Sequence, residues 1–252
     1  MPSVGARPVG SEDEAAAAQN VRRMFDSIAP RYDFLNHLLS ANIDRLWWNR
    51  TAQRFHSVLA NPDTAILDIC CGTGDMTMAL LKHRAQNARP ILAADFARGM
   101  LSRAAQKFAK PGQAAAIPLE ADALHLPLRT ASLDLIVTAF GFRNLANYDS
   151  GLREFHRVLK PGGQLGILEF GEPGGWLGKL YGVYFHHVLP AVGRMIVGTD
   201  GPYKYLPASV GRFPSPDELL SLMSSTRYMD CVWQPYTFGI AGLYIARKPL
   251  DE

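Results

Sequence analysis

Residues 66–75, which read ILDICCGTGD, limit the possible folds of this chain more than any other segment. A short apolar run leads into two closely spaced glycines, and an apolar pattern at helical spacing follows from Met76 to His83. Glycine is needed where the backbone turns sharply or lies against a ligand, and a helix that starts there offers unpaired N–H groups. The segment therefore predicts a buried strand, a tight turn and a helix, which is one unit of an α/β sheet.

Further apolar runs continue this alternation. We expect strands over residues 91–95, 117–121, 133–139 and 165–170, with helices over 99–108 and 150–159 and a helix stop at 161–163. Strands alternating with helices predict a parallel sheet that is covered on both faces. A capping-box pattern at Ser215 and Glu218 predicts another helix start. Two runs at 230–234 and 243–246 are close enough for a hairpin, which would make one edge of the sheet antiparallel.

The composition excludes several classes of protein. Apolar residues make up 48% of the chain and charged residues 19%, which is typical of a folded domain rather than a disordered chain. The net charge of +3 and the lack of a basic block give no reason to expect a nucleic-acid partner. The three cysteines form no zinc-binding or disulfide pattern, so we expect free thiols and no metal. With no signal peptide and no bilayer-spanning apolar run, the sequence predicts a cytoplasmic location.

Acidic residues at two predicted strand ends point to a nucleoside ligand. Asp95 closes the second strand, where a carboxylate can accept hydrogen bonds from ribose hydroxyls. A dinucleotide fingerprint would need a third glycine where Thr77 stands. S-adenosylmethionine sites have a different layout of acids. The first acid precedes the turn, as Asp68 does, the second binds the ribose, as Asp95 could, and the third is followed by a small residue, as in Asp122 and Ala123. The alternative is that the glycines only make a tight turn and that the acids are solvated strand ends.

Three stretches carry a family resemblance. They are residues 25–36 (FDSIAPRYDFLN), 140–144 (FGFRN) and 157–163 (RVLKPGG), the last continuing to Glu169 and Phe170. On these stretches the chain resembles the ubiquinone/menaquinone biosynthesis C-methyltransferases from residue 21 to 247. Many methyltransferases share the third stretch, whereas the first two are more particular to this family. Leu35 and Asp44 depart from the family pattern, which usually has methionine and histidine there.

The resemblance implies a fold and a domain layout. The fold is the class I S-adenosylmethionine-dependent methyltransferase (Rossmann-like) α/β fold, a seven-stranded mostly parallel sheet with an antiparallel C-terminal strand and an N-terminal helical lid. We expect a flexible N-terminus over 1–20, the helical lid over 21–60 and the methyltransferase domain over 61–252, with a substrate-covering insertion at 172–212. The expected cofactor-binding residues are Asp68, Gly72, Thr73, Gly74, Asp95, Asp122 and Ala123.

The resemblance also implies a reaction, the methylation of a ring carbon of a prenylated quinol. Demethylmenaquinol is the expected substrate, and the benzoquinol of the ubiquinone pathway is the alternative. Arg143 and Asn144 would stabilise the phenolate, and Tyr32 would orient the ring. The proton acceptor would be either a water positioned by Arg143 or an acid such as Asp33. The structural alternatives are an ion pair that pins the turn at Arg143 and lid packing for Tyr32 and Asp33. Because the substrate dissolves in membranes, the resemblance implies peripheral contact with the inner membrane face, and oligomer formation stays open.

Three rival functions stay open at this point. A nicotinamide-dependent oxidoreductase could use a similar sheet, although Thr77 replaces the third glycine. A non-catalytic subunit of a quinone-biosynthesis complex could keep the cofactor fold. A methyltransferase of the same fold could also act on another lipid or small molecule.

Overall fold

The structure is a computed structural model that describes residues 5–6, 13–29, 42–109, 115–171, 173, 205 and 208–251. The predicted catalytic residues Tyr32 and Asp33 lie outside these ranges, as does most of the predicted insertion at 172–212.

Seven strands form one sheet. They are β1 (Ile66–Ile69), β2 (Ile91–Asp95), β3 (Ala116–Glu120), β4 (Leu133–Ala139), β5 (Leu159–Phe170), β6 (Met229–Tyr236) and β7 (Ala241–Arg247). Their order is β3-β2-β1-β4-β5-β7-β6. The pairs among the first five strands are parallel, whereas β7 runs antiparallel to both β5 and β6. This topology confirms the predicted mostly parallel α/β sheet with an antiparallel edge.

The helices cover both faces of the sheet. They are α1 (Glu14–Ile28), α2 (Ile43–Arg54), α3 (His56–Leu59), α4 (Asp75–Lys82), α5 (Arg98–Phe108), α6 (Tyr148–Val158) and α7 (Pro216–Ser225), with 3-10 turns at Phe142–Asn144 and Thr237–Gly239. The backbone and side chain of Ser215 and the side chain of Glu218 form the predicted capping box of α7.

The first helix starts earlier than the sequence predicted. Residues 14–20 belong to α1, so this part of the predicted flexible N-terminus is helical. The cause is local, because the carboxylate of Asp13 accepts a hydrogen bond from the N–H of Ala16 at 2.7 Å and caps the helix. Ala17 and Val21 are buried, so the helix also gains tertiary packing.

The fifth strand also starts earlier than predicted. β5 begins at Leu159, so residues 161–163 stand inside the strand instead of separating it from α6. The N–H of Gly162 donates to the carbonyl of Lys248 at 3.0 Å, and the N–H of Lys248 donates to the carbonyl of Gly163 at 2.9 Å. The local pattern at residues 161–163 predicted only the end of a helix. Because these residues pair with Lys248, they form the first part of β5 instead.

The core lies on both sides of the sheet. On β1, Leu67 and Ile69 join one apolar cluster with residues of α6 and α7, whereas Ile66 joins the other with residues of α2, α3 and α4. Successive strand residues point to opposite faces, so a strand buried on both faces is mostly apolar, and Asp68 is the exception on β1. The carboxyl ends of the parallel strands are therefore fixed from both sides.

Candidate functional site

The turn after β1 brings the backbone close to the end of β2. Gly72 and Gly74 have positive φ values of 56° and 89°, a conformation that favours glycine. A Cβ atom on Gly74 would lie 2.8 Å from the ring of Phe108, so a side chain there would force this ring to move. The N–H of Gly72 donates to Asp95 Oδ2 at 2.8 Å and joins the two strand ends.

Asp95 is a buried carboxylate held by two backbone N–H groups. Gly72 occupies Oδ2, and the N–H of Ala97 donates to Oδ1 at 2.8 Å. Burial raises the pKa of Asp95 to about 6, against the lowering effect of these hydrogen bonds, and the charge of Asp26 adds to the rise. Because each carboxylate oxygen can accept more than one hydrogen bond, Asp95 can still accept from hydroxyl groups of a ligand.

Asp68 lies behind the turn. It is fully buried, and its Oδ2 accepts a hydrogen bond from Thr77 Oγ1 at 2.5 Å. Burial raises the pKa of Asp68 to about 7, and the nearby charges of Asp95 and Asp75 act in the same direction. Among the described residues, no group donates a hydrogen bond to its Oδ1.

Thr73 and Asp122 flank the turn in different environments. Thr73 is buried, and its hydroxyl lies 3.2 Å from Lys107 Nζ, which also pairs with Asp75 at 2.7 Å. The side chain of Asp122 is 53% exposed, and its Oδ1 accepts from the N–H of Leu124 at 2.9 Å. Asp122 is therefore accessible to a ligand.

A cleft lies at the carboxyl ends of β1, β2 and β4, where ligands bind in open α/β sheets. It encloses about 990 Å³, including the part open to solvent. Most predicted cofactor-binding residues and one predicted catalytic residue line it, namely Gly72, Thr73, Asp95, Asp122, Ala123 and Asn144. Asp68, Gly74 and Arg143 are not among its lining residues. The predicted site residues thus fall into two sets. One set lines the cleft, and the other lies behind the lining.

Arg143 forms a buried ion pair behind the cleft. Its Nη1 lies 2.9 Å from Glu169 Oε2, and its backbone N–H donates to Glu169 Oε1 at 3.0 Å. The same guanidinium donates to the carbonyl of Phe140, and its carbon atom lies 5.3 Å from the ring centre of Phe170. This geometry matches the alternative in which an ion pair pins the turn after β4.

Asn144 borders the cleft and is oriented by a tyrosine that sequence reasoning missed. The hydroxyl of Tyr205 donates to Asn144 Oδ1 at 3.0 Å, and Asn144 Nδ2 lies 3.5 Å from the carbonyl of Phe140. Burial raises the pKa of Tyr205 to about 12, so its hydroxyl stays protonated and remains a donor. The bond fixes which end of the Asn144 amide accepts and which end can donate.

Glu169 is the second residue that sequence reasoning missed as a functional group. It lies in the otherwise apolar end of β5, residues 165–170. A buried acid requires a cationic or hydrogen-bonding partner, so Arg143 could have been paired with it on that ground. No local pattern could have predicted the contact of Tyr205 with Asn144, because the two residues lie 61 positions apart.

Aromatic side chains and α1 complete the walls. Trp47 of α2 lies 5.9 Å from Phe140 and 6.2 Å from Phe170 between ring centres, and the two phenylalanines stack at 4.3 Å. Trp48 lines the cleft directly, as do Ala18 and Phe25 of α1. Beside the cleft, Asp26 Oδ1 accepts from the N–H of Gly99 at 2.8 Å and ties α1 to the first turn of α5.

Two features are absent from the described residues. None of the helices in this part of the chain is both long enough and apolar enough to cross a lipid bilayer. In the same residues, no group of three or more His, Cys, Asp or Glu side chains is arranged to hold a metal ion. Cys70, Cys71 and Cys231 are free thiols.

Comparisons with known proteins agree with the geometry. The sequence profile of the ubiE/COQ5 methyltransferase family matches residues 13–248. A demethylmenaquinone methyltransferase of Deinococcus radiodurans is 44% identical over 96% of this chain and 97% of its own length. The ubiquinone/menaquinone biosynthesis C-methyltransferase UbiE of Geobacter sulfurreducens is 39% identical over 92% of this chain and 90% of its own.

Among solved structures, an S-adenosylmethionine-dependent methyltransferase of Thermotoga maritima, described as a possible histamine N-methyltransferase, has the same fold. Its TM-score is 0.63 with 16% identity, and the match covers 90% of this chain and 99% of that one. At this identity the likeness establishes the fold alone.

Proposed function

Since this chain belongs to the ubiE/COQ5 methyltransferase family, we propose that it methylates a ring carbon of demethylmenaquinol with S-adenosylmethionine as donor. The observation that carries the proposal is the 44% identity to a demethylmenaquinone methyltransferase along 96% of the chain. The cleft at the carboxyl edge of the sheet, with a buried acid and aromatic walls, supports it physically.

The residues around the turn fit S-adenosylmethionine. Asp95 would accept hydrogen bonds from the ribose hydroxyls, and the close approach of Gly72 leaves room for the ligand beside the backbone. Asp122 and Ala123 would border the adenine, and Thr73 would border the methionine part. When bound, the donor supplies an electrophilic methyl group attached to a positively charged sulfur.

The ring carbon of the quinol must be made nucleophilic. It forms the new carbon–carbon bond while the methyl–sulfur bond of the donor breaks and S-adenosylhomocysteine leaves, and it then loses its own proton. An ionised neighbouring hydroxyl raises its electron density. With a pKa of about 10, judged from tyrosine, ionising that hydroxyl costs about 4 kcal/mol at neutral pH. A hydrogen-bond donor aimed at the developing oxyanion offsets part of this cost.

We assign that donor role to Asn144. Its side chain borders the cleft, and the hydrogen bond from Tyr205 occupies Oδ1. Nδ2 carries two hydrogens, of which one is directed to the carbonyl of Phe140 and the other serves as the donor. Arg143 acts as a positioning residue, because its guanidinium is already paired with Glu169 and holds the turn that carries Asn144. Tyr32 and Asp33 keep their proposed roles in ring orientation and proton acceptance.

The substrate also implies a location. A prenylated quinol dissolves in the bilayer, so the enzyme would meet it as a peripheral protein on the inner membrane face. The benzoquinol of the ubiquinone pathway is a second candidate substrate, because the relative from Geobacter sulfurreducens is named for both pathways.

A methyl-transfer assay tests the proposal. The full chain is incubated with methyl-labelled S-adenosylmethionine and short-chain naphthoquinol and benzoquinol substrates side by side. We expect label in the naphthoquinol, loss of the label with excess S-adenosylhomocysteine, and at least tenfold slower turnover in Asn144→Ala. Labelling of the benzoquinol alone would select the second substrate, and labelling of neither would contradict the proposal.

A further inference from the structure

Three large apolar side chains are exposed near the aromatic wall of the cleft. Phe238 is 83% exposed, Leu46 is 53% exposed and Ile43 is 39% exposed. Ile43 and Leu46 lie on α2, and Phe238 lies in the 3-10 turn Thr237–Gly239. We call these three residues the α2–Phe238 surface.

The turn holds Phe238 outward against its backbone preference. Thr237 and Phe238 have positive φ values of 46° and 58°, which are unfavourable for a β-branched and for a bulky residue. Such strain persists only where surrounding contacts impose it, and it concentrates at functional positions. A contact from α2 reaches this turn, because Trp47 Nε1 donates to Thr237 Oγ1 at 2.8 Å. The same bond joins the two parts of the surface.

The α2–Phe238 surface lies at the same edge of the sheet as the cleft. Ala241, which follows the turn on β7, pairs with Phe170 at the carboxyl end of β5 and with Tyr236 on β6. The carboxyl ends of β1, β2 and β4 carry the cleft at this edge. α2 connects the two regions, since Trp48 lines the cleft while Leu46 is exposed.

The exposed charges on α2 have one sign. The exposed charged residues of α2 are Arg45, Arg50 and Arg54, and its only acid, Asp44, is buried. The guanidinium carbon of Arg50 lies 4.5 Å from the ring centre of Tyr236, so this cation stays beside the turn. Exposed apolar side chains flanked by arginines match the chemistry of an anionic lipid surface.

We propose that the α2–Phe238 surface docks this chain on an anionic lipid bilayer, with the cleft edge turned toward the membrane. Ile43, Leu46 and Phe238 enter the boundary between headgroups and acyl chains, and the arginines of α2 bind the anionic headgroups. The inference rests on the proposed function for its purpose, because a bilayer-dissolved quinol would reach the cleft without crossing water.

Co-sedimentation of the full chain with vesicles tests the docking. The vesicles contain phosphatidylcholine alone or with phosphatidylglycerol. The test variant is the double substitution Leu46→Glu with Phe238→Asn, in which asparagine suits the positive φ and glutamate suits a helix. The matched control is Val232→Glu, because Val232 is 48% exposed on the outer strand β6.

We expect the wild-type chain to bind the phosphatidylglycerol vesicles, the double variant to bind about tenfold more weakly or worse, and the control to stay within about twofold. The double variant should retain methyl transfer to a short-chain, water-soluble quinol. Equal binding of wild type and double variant would overturn the proposal. So would a wild-type dimer in sedimentation velocity that the double variant lacks, since a second copy would then cover the surface. Vesicle binding without methyl transfer to any quinol would contradict the proposed function and leave the docking intact.

Discussion

The two halves of the cleft are held together by different kinds of contact. The half that we assign to the methyl donor depends on Asp95, whose carboxylate accepts from backbone N–H groups that follow β1 and β2. The half that we assign to the quinol depends on side chains from separate elements, with Arg143 paired to Glu169 and Tyr205 bonded to Asn144. The donor half is therefore built into the strand ends, whereas the quinol half requires long-range pairing to be complete.

This difference predicts different consequences of substitution. Removing the Asp95 carboxylate takes away the acceptor for a ligand and the anchor of the Gly72 turn, whereas the backbone pairing of β1 with β2 remains. Removing Arg143 leaves the buried charge of Glu169 without its partner, which costs several kcal/mol of folding free energy. The donor half should respond in ligand affinity, and the quinol half in stability and turnover.

The largest effect should come from Arg143→Met. We expect the free energy of unfolding to fall by about 3–5 kcal/mol, because Glu169 stays buried without a cation. Urea denaturation followed by circular dichroism measures this. The control is Arg153→Met, which removes an exposed pair with Asp149 and should change stability by about 0.5 kcal/mol or less. Equal losses in the two variants would break the comparison.

Asp95→Asn should weaken binding of S-adenosylhomocysteine about 100-fold, because the ribose loses a charged acceptor and the NH2 group of the amide faces one of the two backbone N–H groups that the carboxylate held. Isothermal titration calorimetry measures the affinity. The exposed Asp122 gives the control, and Asp122→Asn should cost about fivefold or less. An unchanged affinity in Asp95→Asn would contradict the assignment of the methyl donor to this half of the cleft.

Tyr205→Phe should lower kcat about tenfold and leave S-adenosylhomocysteine affinity unchanged, since the orientation of the Asn144 amide is no longer fixed. Tyr228→Phe is the control, because the hydroxyl of Tyr228 bonds to the carbonyl of Leu152 and is not part of the cleft. It should lower stability without lowering kcat. A parallel loss of donor affinity in Tyr205→Phe would show that the two halves are coupled.

The smallest effect should appear in the pH dependence of stability. Burial raises the pKa of Asp68 from 3.8 to about 7, so the folded chain retains a proton that the unfolded chain has released. The free energy of unfolding should therefore fall by about 1 kcal/mol as the pH rises from 6 to 7. Urea denaturation at both values measures the change, and Asp68→Asn should remove most of it. A rise in stability over this interval would contradict the buried, protonated state of Asp68.

Sequence reasoning predicted residues of the half that we assign to the donor because their signals are local. The glycines of the turn, the acid at the end of β2 and the acid after β3 each follow a strand within a few residues. The quinol half could be found only in part. Glu169 lies 26 positions from Arg143 and Tyr205 lies 61 positions from Asn144, and no local pattern specifies such pairs.

The same reason explains the differences in the fold. The central strands and their alternation with helices follow from apolar runs that the sequence displays directly. The start of β5 depends on Lys248, which pairs with Gly162 and Gly163 from the other end of the domain. The start of α1 did have a local signal in Asp13, but the alanine-rich stretch after it lacks the large apolar residues that usually identify a buried helix face.

The close approach of Gly141 to Cys70 has a consequence for the evolution of the family. A Cβ atom on Gly141 would come within 2.4 Å of the Cβ of Cys70, so even alanine would collide at this point. The ends of β1 and β4 are therefore not free to diversify independently. Because the clash is with the Cβ atom itself, a lineage that enlarges position 141 needs glycine at position 70, and these two positions should covary among descendants.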